Sequence, residues 1–124
     1  MLIKEELTDK ILKCAFKVHS KLGPGLLESA YHACLKHELI KSGLVVRSEV
    51  SVPLIYDDLK LDCGYRIDLL VQGQVIIELK TVEKLTDVHQ AQILTYLKLA
   101  ELKVGLLLNF NTKSLRDGIK RFIL

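Results

Sequence analysis

The sequence lacks a strong charge of either sign. Its 124 residues include 18 lysines and arginines and 15 aspartates and glutamates, for a net charge of +3. This bias permits a nucleic-acid partner but does not require one, because sequence-independent phosphate binders usually carry a distinct basic stripe. Any positive charge that attracts a polyanion must therefore be local, or a bound cation must supply it.

Cysteine is scarce, and its spacing forms no recognised pattern. Cys14, Cys34 and Cys63 are odd in number and include no Cys-x-x-Cys pair, which argues against a disulfide framework and a thiolate zinc site. Cys14 and Cys34 fall in helical patterns, where we expect small buried hydrophobic residues. A reducing compartment fits this use of cysteine.

Glycine-rich nucleotide loops and the Gly-x-Ser-x-Gly elbow of serine hydrolases are also missing from the sequence.

Long apolar segments are absent too. The first ten residues contain no apolar core of a signal peptide. The longest apolar runs, such as 104–108, are far shorter than the ~20 residues of a membrane span. We therefore expect a cytoplasmic protein with no membrane partner. An apolar share of 49% is enough for a core, and the length suits one domain over residues 1–124.

Hydrophobic periodicity predicts two helices, three antiparallel strands, a third helix, a fourth strand and a terminal helix. Thr8 or Asp9 is expected to cap the first helix, and Gly23-Pro24 to end it. The predicted elements are helices over 8–22 and 26–42, strands over 45–55, 59–71 and 75–80, a helix from Thr86 or Asp87 to about 100, a strand over 105–110 and a helix over 115–123. A strand, a crossover helix and a parallel strand form a right-handed unit. The prediction is thus an α/β fold, with a mixed sheet flanked by helices.

The hairpin around Gly73 is predicted to bring two carboxylates together. If its loop is the three residues 72–74, Asp68 lies directly across from Glu78; a two-residue loop would put them on opposite faces. The same register predicts Val71 opposite Val75, Arg66 opposite Lys80, and Ile67, Leu69, Ile77 and Leu79 on the other face.

Opposed carboxylates destabilise a pair of strands unless a cation lies between them. Hard oxygen ligands suit Mg²⁺ or Mn²⁺, which can activate water toward a phosphodiester. Lys80 follows Glu78 by two residues, so it shares that face and can stabilise charge on a phosphate or position the attacking water. The alternative is a solvated charged face. Ile76, which lies on the same face, favours a functional site.

Two helices add candidates. Glu28 and Tyr31 share one face of the second helix, where Glu28 is either a first-turn charge or a third carboxylate at the metal. Gln92 and Tyr96 share a face of the third helix, which is either partly solvated or binds phosphate. His89 is interpreted as structural.

Five motifs follow one another along the chain: Gly25-x-x-Glu28-x-x-Tyr31, Tyr65 to Val71, Ile77-Glu78-Leu79-Lys80, Gln92-x-x-x-Tyr96 and Gly105 to Phe110. Together these motifs resemble the GxxExxY family of the PD-(D/E)XK nuclease superfamily, near its RecB-type branch. The resemblance implies a restriction-endonuclease-like αβββαβ core. It also implies that Asp68, Glu78 and the Leu79 carbonyl bind Mg²⁺ and that Lys80 lies at the scissile phosphate. Glu28, Gln92 and Tyr96 match further family positions, and Tyr31 and Arg66 are supporting candidates.

The leading hypothesis is an enzyme: a Mg²⁺- or Mn²⁺-dependent nuclease that hydrolyses DNA in preference to RNA. The alternative is a nucleic-acid-binding or protein-interaction module whose site is not used. A chain this short offers little surface for a substrate, so a homodimer or a partner protein would extend it. Stabilisation by the metal distinguishes the two hypotheses.

Overall fold

Three helices and seven strands make up the computed structural model, which describes residues 4–124. In chain order the elements are α1 (Glu5–Leu22), α2 (Glu28–Lys41), β1 (Val46–Ser51), β2 (Leu54–Tyr56), β3 (Leu59–Leu61), β4 (Arg66–Val71), β5 (Val75–Lys80), α3 (Asp87–Ala100), β6 (Val104–Asn109), a short 3-10 turn (Leu115–Gly118) and β7 (Ile119–Ile123). None of the helices in this part of the chain is long and apolar enough to cross a membrane.

The main sheet has five strands in the order β1-β4-β5-β6-β7. β5 and β6 are parallel and are joined by α3, whereas the other neighbouring strands are antiparallel. This arrangement confirms the expected α/β fold with a mixed sheet flanked by helices. The predicted strand-helix-strand unit is β5-α3-β6, since parallel neighbours need a crossover connection of this kind.

Each face of the sheet is covered by its own apolar cluster. The first cluster packs α1 and α2 on the sheet and includes Leu35, Ile77 and Leu108. The second packs α3 on the other face and includes Ile76 and Leu97. The central strands β5 and β6 therefore have apolar side chains on both faces, which is the usual composition of parallel strands covered by helices.

The first helix begins earlier than predicted. It starts at Glu5, so the predicted caps Thr8 and Asp9 are wrong. Thr8 is instead buried inside the helix, where its hydroxyl oxygen accepts a hydrogen bond from Arg121. The predicted end is confirmed, because Gly23 follows the last helical residue with a φ of +66°, a conformation that glycine adopts without steric cost.

The two long strands predicted before the hairpin are each interrupted. Residues 45–55 contain β1 and β2, separated at Pro53, and residues 59–71 contain β3 and β4, separated at 62–65. Proline has no N–H to donate to a ladder, which explains the first break. Within residues 4–124, β2 and β3 pair with each other and with no other strand, and we call this unit the β2–β3 hairpin.

The predicted terminal helix over 115–123 is wrong. Only a 3-10 turn forms there, and β7 then runs antiparallel to β6 from Leu108↔Ile119 to Val104↔Ile123. β6 is buried along its whole length, and without β7 its polar backbone edge would have no partner. Gly118 suits a helix poorly, and its Cα lies so close to Asn109 that an added Cβ would be 2.3 Å from the Asn109 carbonyl oxygen.

Candidate active site

Asp68 lies where β4 and β5 separate. The ladder between the strands ends at the pair Leu69↔Ile77, and the same register extended by one residue sets Asp68 opposite Glu78. The Asp68 carboxylate accepts a 2.8 Å hydrogen bond from the Leu79 backbone N–H. A side-chain oxygen thus takes the role that a carbonyl would have in a continued ladder, and the strands diverge around the acidic pair.

The hairpin register predicted from the sequence is confirmed up to this point, because Val71 pairs with Val75 across the three-residue loop 72–74. The predicted pairing of Arg66 with Lys80 is wrong. Arg66 pairs with Ser51 on β1, and its guanidinium lies 3.6 Å from the exposed Asp62 carboxylate. The divergence of the strands at Asp68 explains the difference.

Side-chain alternation along β4 fails at Asp68. Leu69 belongs to the apolar cluster under α1 and α2, whereas Ile67 belongs to the cluster under α3, so their predicted common face is wrong. The neighbouring strand is distorted at the same level. Glu49, which lies between two paired residues of β1, has a φ of +52°. This left-handed conformation is uncommon for a non-glycine residue and accompanies the turn of the Asp68 side chain toward β5.

Glu78 is a buried carboxylate, with only 3% of its surface exposed. Its Oε1 atom finds no hydrogen-bond partner among residues 4–124. Burial, together with the Asp68 carboxyl group beside it, raises the pKa of Glu78 to about 10, and the Lys80 ammonium partly opposes the rise. A buried carboxylate is stable only when it is paired, hydrogen-bonded or protonated, or when it ligates a cation.

The backbone of β5 directs a carbonyl toward this pair. The Lys80 carbonyl oxygen accepts a 2.9 Å hydrogen bond from the Phe110 N–H on the β6 side. Polar backbone groups alternate between the two edges of a strand, so both the N–H and the carbonyl of Leu79 project toward Asp68. Lys80 itself is half-buried at the end of the strand.

Glu28 is the first residue of α2 and faces the same region from another layer. Although the residue as a whole is exposed, partial burial of its carboxyl group and the nearby Asp68 carboxylate raise the pKa of Glu28, while Lys80 lowers it. Glu28 and Asp68 line a common cavity of about 260 Å³, together with Ser29, His32 and Glu49.

Tyr31 fixes the turn that presents Glu28. The Tyr31 ring is fully buried and stacks on Phe110, with ring centroids 4.7 Å apart. Its hydroxyl group donates to the Gly23 carbonyl oxygen and accepts a 3.2 Å hydrogen bond from the Leu26 N–H. The side chain therefore links the end of α1 to the start of α2.

Gln92 and Tyr96 approach the acidic pair from α3. The Gln92 amide donates a 3.3 Å hydrogen bond to the Tyr96 hydroxyl oxygen. Burial raises the pKa of Tyr96, and the Glu78 and Asp68 carboxylates raise it further. His89 lies earlier on α3 and forms a capping box with Thr86, in which the Thr86 N–H donates to His89 Nδ1 over 3.0 Å; this confirms its interpretation as structural.

The structure adds His32, Glu49 and Asn109 to the surroundings of the acidic pair. His32 contacts the Asp68 carbonyl oxygen through Nε2 at 3.1 Å and lies 3.6 Å from the Glu49 carboxylate. Asn109, only 2% exposed, binds both backbone groups of Val82. The His32 contact holds the backbone at Asp68, and the Asn109 contacts hold the backbone two residues after Lys80. The one available signal was the helical spacing of His32 from Glu28.

The donor set fits a hard divalent cation. Within residues 4–124, no three acidic, histidine or cysteine side chains are grouped closely enough to hold a metal by themselves. Two carboxylates with one backbone carbonyl suffice for Mg²⁺, which usually keeps several waters and takes only one or two carboxylates from the protein. The unpartnered Glu78 Oε1 atom is the position that such an ion would satisfy.

Comparison with known proteins points to the same chemistry. A family model described as the PD-(D/E)XK nuclease superfamily matches residues 5–122. No curated protein and no solved structure matches the chain. Nucleases of this superfamily generally use divalent metals, and the five-stranded mixed sheet flanked by helices agrees with their restriction-endonuclease-like fold. The chain belongs to the PD-(D/E)XK nuclease superfamily.

Proposed function

We propose that this chain is a Mg²⁺- or Mn²⁺-dependent nuclease that hydrolyses phosphodiester bonds of DNA in preference to RNA. The order of its five motifs supports membership of the GxxExxY family and of the RecB-type branch. The observation that carries the proposal is the buried Glu78 carboxylate, which has an unpartnered oxygen and lies beside Asp68. Such a pair is unfavourable without a cation and favourable with one.

The proposed roles follow the geometry. Asp68, Glu78 and the Leu79 carbonyl hold the ion. When bound, the ion polarises a phosphodiester oxygen and lowers the pKa of water beside it. Lys80 lies at the end of β5 with its ammonium near both Glu78 and Glu28, where it can neutralise charge on the reacting phosphate.

Other side chains position these groups. Glu28 borders the cavity next to Asp68 and is suited to hold a water or to ligate the ion through one. Tyr31 fixes the turn before Glu28, and Gln92 and Tyr96 support the acidic pair from α3. Arg66 lies two residues before Asp68, where its partly exposed guanidinium can contact a phosphate bidentately.

The test combines metal binding with cleavage. Mg²⁺ or Mn²⁺ should raise the unfolding temperature of the parent but not of Asp68→Ala, because a native-state ligand adds roughly 2.7 kcal/mol at a hundred times its dissociation constant. Cleavage of labelled single-stranded DNA, duplex DNA and RNA should fall by about a hundredfold or more in Asp68→Ala and Lys80→Ala. Glu83→Gln, at an exposed position beyond β5, is the matched control.

Equal cleavage by the parent and both variants would refute the assignment of the site. A parent that gains no stability from either metal and cuts none of the three substrates would refute the nuclease itself and favour the interaction module.

A further inference from the structure

A second cavity lies on the α3 side of the acidic pair. Its volume is about 210 Å³, smaller than the ~300 Å³ at which pockets for drug-sized ligands begin. It is lined by Leu54, Tyr65, Gln92, Thr95, Tyr96 and Leu99. One wall is therefore the β2–β3 hairpin, another is α3, and two of the lining side chains are aromatic. We call it the tyrosine pocket.

The two rings of the tyrosine pocket differ in exposure. Tyr65 is 43% exposed, whereas Tyr96 is 5% exposed. Their centroids are 6.4 Å apart and their planes are tilted by 56°. The tilt leaves no parallel slot between the rings, so a flat ligand would stack on the open face of Tyr65 and meet Tyr96 with its edge.

Two hydrogen bonds hold the Tyr65 backbone at its carbonyl group. Its carbonyl oxygen accepts a 3.0 Å hydrogen bond from the Val52 N–H and another of 3.0 Å from the Arg66 guanidinium. These bonds fix the loop at the start of β4. An exposed aromatic ring on a fixed backbone loses little conformational freedom when a ligand stacks on it.

Tyr96 connects the tyrosine pocket to the metal site. Its ring lines the pocket, while its hydroxyl group is close enough to Glu78 and Asp68 for their charges to raise its pKa. Tyr65 precedes Asp68 by three residues, which is about 10 Å along an extended strand. That distance corresponds to roughly three stacked nucleotides.

From this geometry we infer that the tyrosine pocket binds one unpaired nucleobase of the substrate strand, close to the scissile phosphate, and that the preferred substrate is single-stranded or frayed. A base inside a duplex has both faces covered by its neighbours, so only an unstacked base can stack on a side chain. Every base has a π-face, so the pocket tolerates any sequence. The inference rests on the proposed nuclease function, because it takes the acidic pair as the place of cleavage.

The test is equilibrium binding of short labelled single strands in Ca²⁺, a cation with the same preference for oxygen ligands, with strand integrity checked on a gel. A single abasic site is moved along the strand. At one position it should weaken binding about tenfold, the loss expected when one base-aromatic stack is removed. A blunt duplex of equal length should bind more weakly than the intact strand.

Variants localise the effect. Tyr65→Ala should bind the intact strand about tenfold more weakly and lose the abasic dependence, whereas Tyr65→Phe should keep both. Thr95→Trp, at an exposed position on α3, should fill the pocket and act like Tyr65→Ala. Tyr56→Ala is the matched control. Tyr56 is 70% exposed on the β2–β3 hairpin and does not line the pocket.

Three results would overturn the inference. They are equal affinity for all abasic strands, no measurable binding of any strand, and tighter binding of the duplex than of the single strand that Tyr65→Ala does not change. Cleavage in Mg²⁺ or Mn²⁺ without base-dependent affinity would refute the pocket and keep the nuclease. Base-dependent affinity without cleavage would support the pocket and refute the nuclease.

Discussion

Replacing Glu78 should stabilise the metal-free protein, whereas replacing most buried side chains destabilises a protein. Its carboxylate is 3% exposed and has an unpartnered oxygen. Because the pKa of Glu78 is about 10 in the folded protein, the side chain must take up a proton on folding at neutral pH, and glutamine keeps the shape without that requirement. Glu78→Gln should therefore stabilise the metal-free protein near neutral pH by on the order of 1–3 kcal/mol, measured by urea unfolding in a chelator. A variant less stable than the parent would contradict this account.

The size of that stabilisation should grow with pH. The pKa of Glu78 is about 10 in the folded protein, against an ordinary value of 4.5, so the folded state binds more protons between these values. The parent thus loses stability as pH rises from about 4.5 toward 10, by at most about 1.4 kcal/mol per unit. The difference in stability between Glu78→Gln and the parent isolates this group, and Glu83→Gln, at an exposed position, is the matched control.

Single residues of the site differed in how far the sequence could identify them. Asp68 and Glu78 were predicted together because hairpin register is a local property of the chain. His32 and Glu49 were not, because their approach to Asp68 depends on how α2 and β1 pack against β4, which no periodicity encodes. The roles of Asp68, Glu78, Leu79 and Lys80, like those of Glu28, Gln92, Tyr96, Tyr31 and Arg66, stay predictions for mutagenesis.

Among the elements, β7 depends on one close backbone approach. A methyl group at position 118 would lie 2.3 Å from the Asn109 carbonyl oxygen. Gly118 directly precedes β7, the strand that covers the edge of β6. Gly118→Ala should destabilise the protein by about 1–3 kcal/mol, measured by chemical unfolding. Lys120→Ala, exposed on β7, should stay within about 0.5 kcal/mol of the parent. Equal unfolding midpoints for the two variants would argue against tight packing at this turn.

The elements that the sequence predicted correctly are those with strong local signals. The cap at Thr86, the end of α1 at Gly23 and the buried run of β6 each determine structure over a few residues. The last element, residues 115–123, was predicted as a helix, and Leu115, Ile119 and Phe122 do recur at helical spacing. The tertiary requirement to pair the open edge of β6 overrides that spacing. The break at Pro53 could have been predicted, since proline interrupts a ladder.

Over the whole molecule, the small net charge of +3 limits how much binding free energy phosphates can supply. Lys80 is the basic side chain that β5 brings to the acidic pair, and Arg66 precedes Asp68 by two residues on β4. In Ca²⁺, the logarithm of strand affinity should fall with the logarithm of KCl concentration with a slope of about −1 to −3, because each phosphate contact on a single strand contributes roughly −0.7. A slope steeper than about −5 would mean that lysines elsewhere, such as Lys10, Lys13 and Lys17 on α1, bind the strand.

The left-handed conformation of Glu49 also bears on how copies of the protein meet in solution. β1 is an outer strand of the sheet, and a straight outer strand is a template for pairing with a strand of another molecule. The distortion at Glu49 interrupts that template in its middle, and the exposed charges of Arg47 and Glu49 oppose the approach of a second sheet. The distortion that accompanies the turn of Asp68 toward β5 thus also makes β1 a poor template for edge-to-edge pairing.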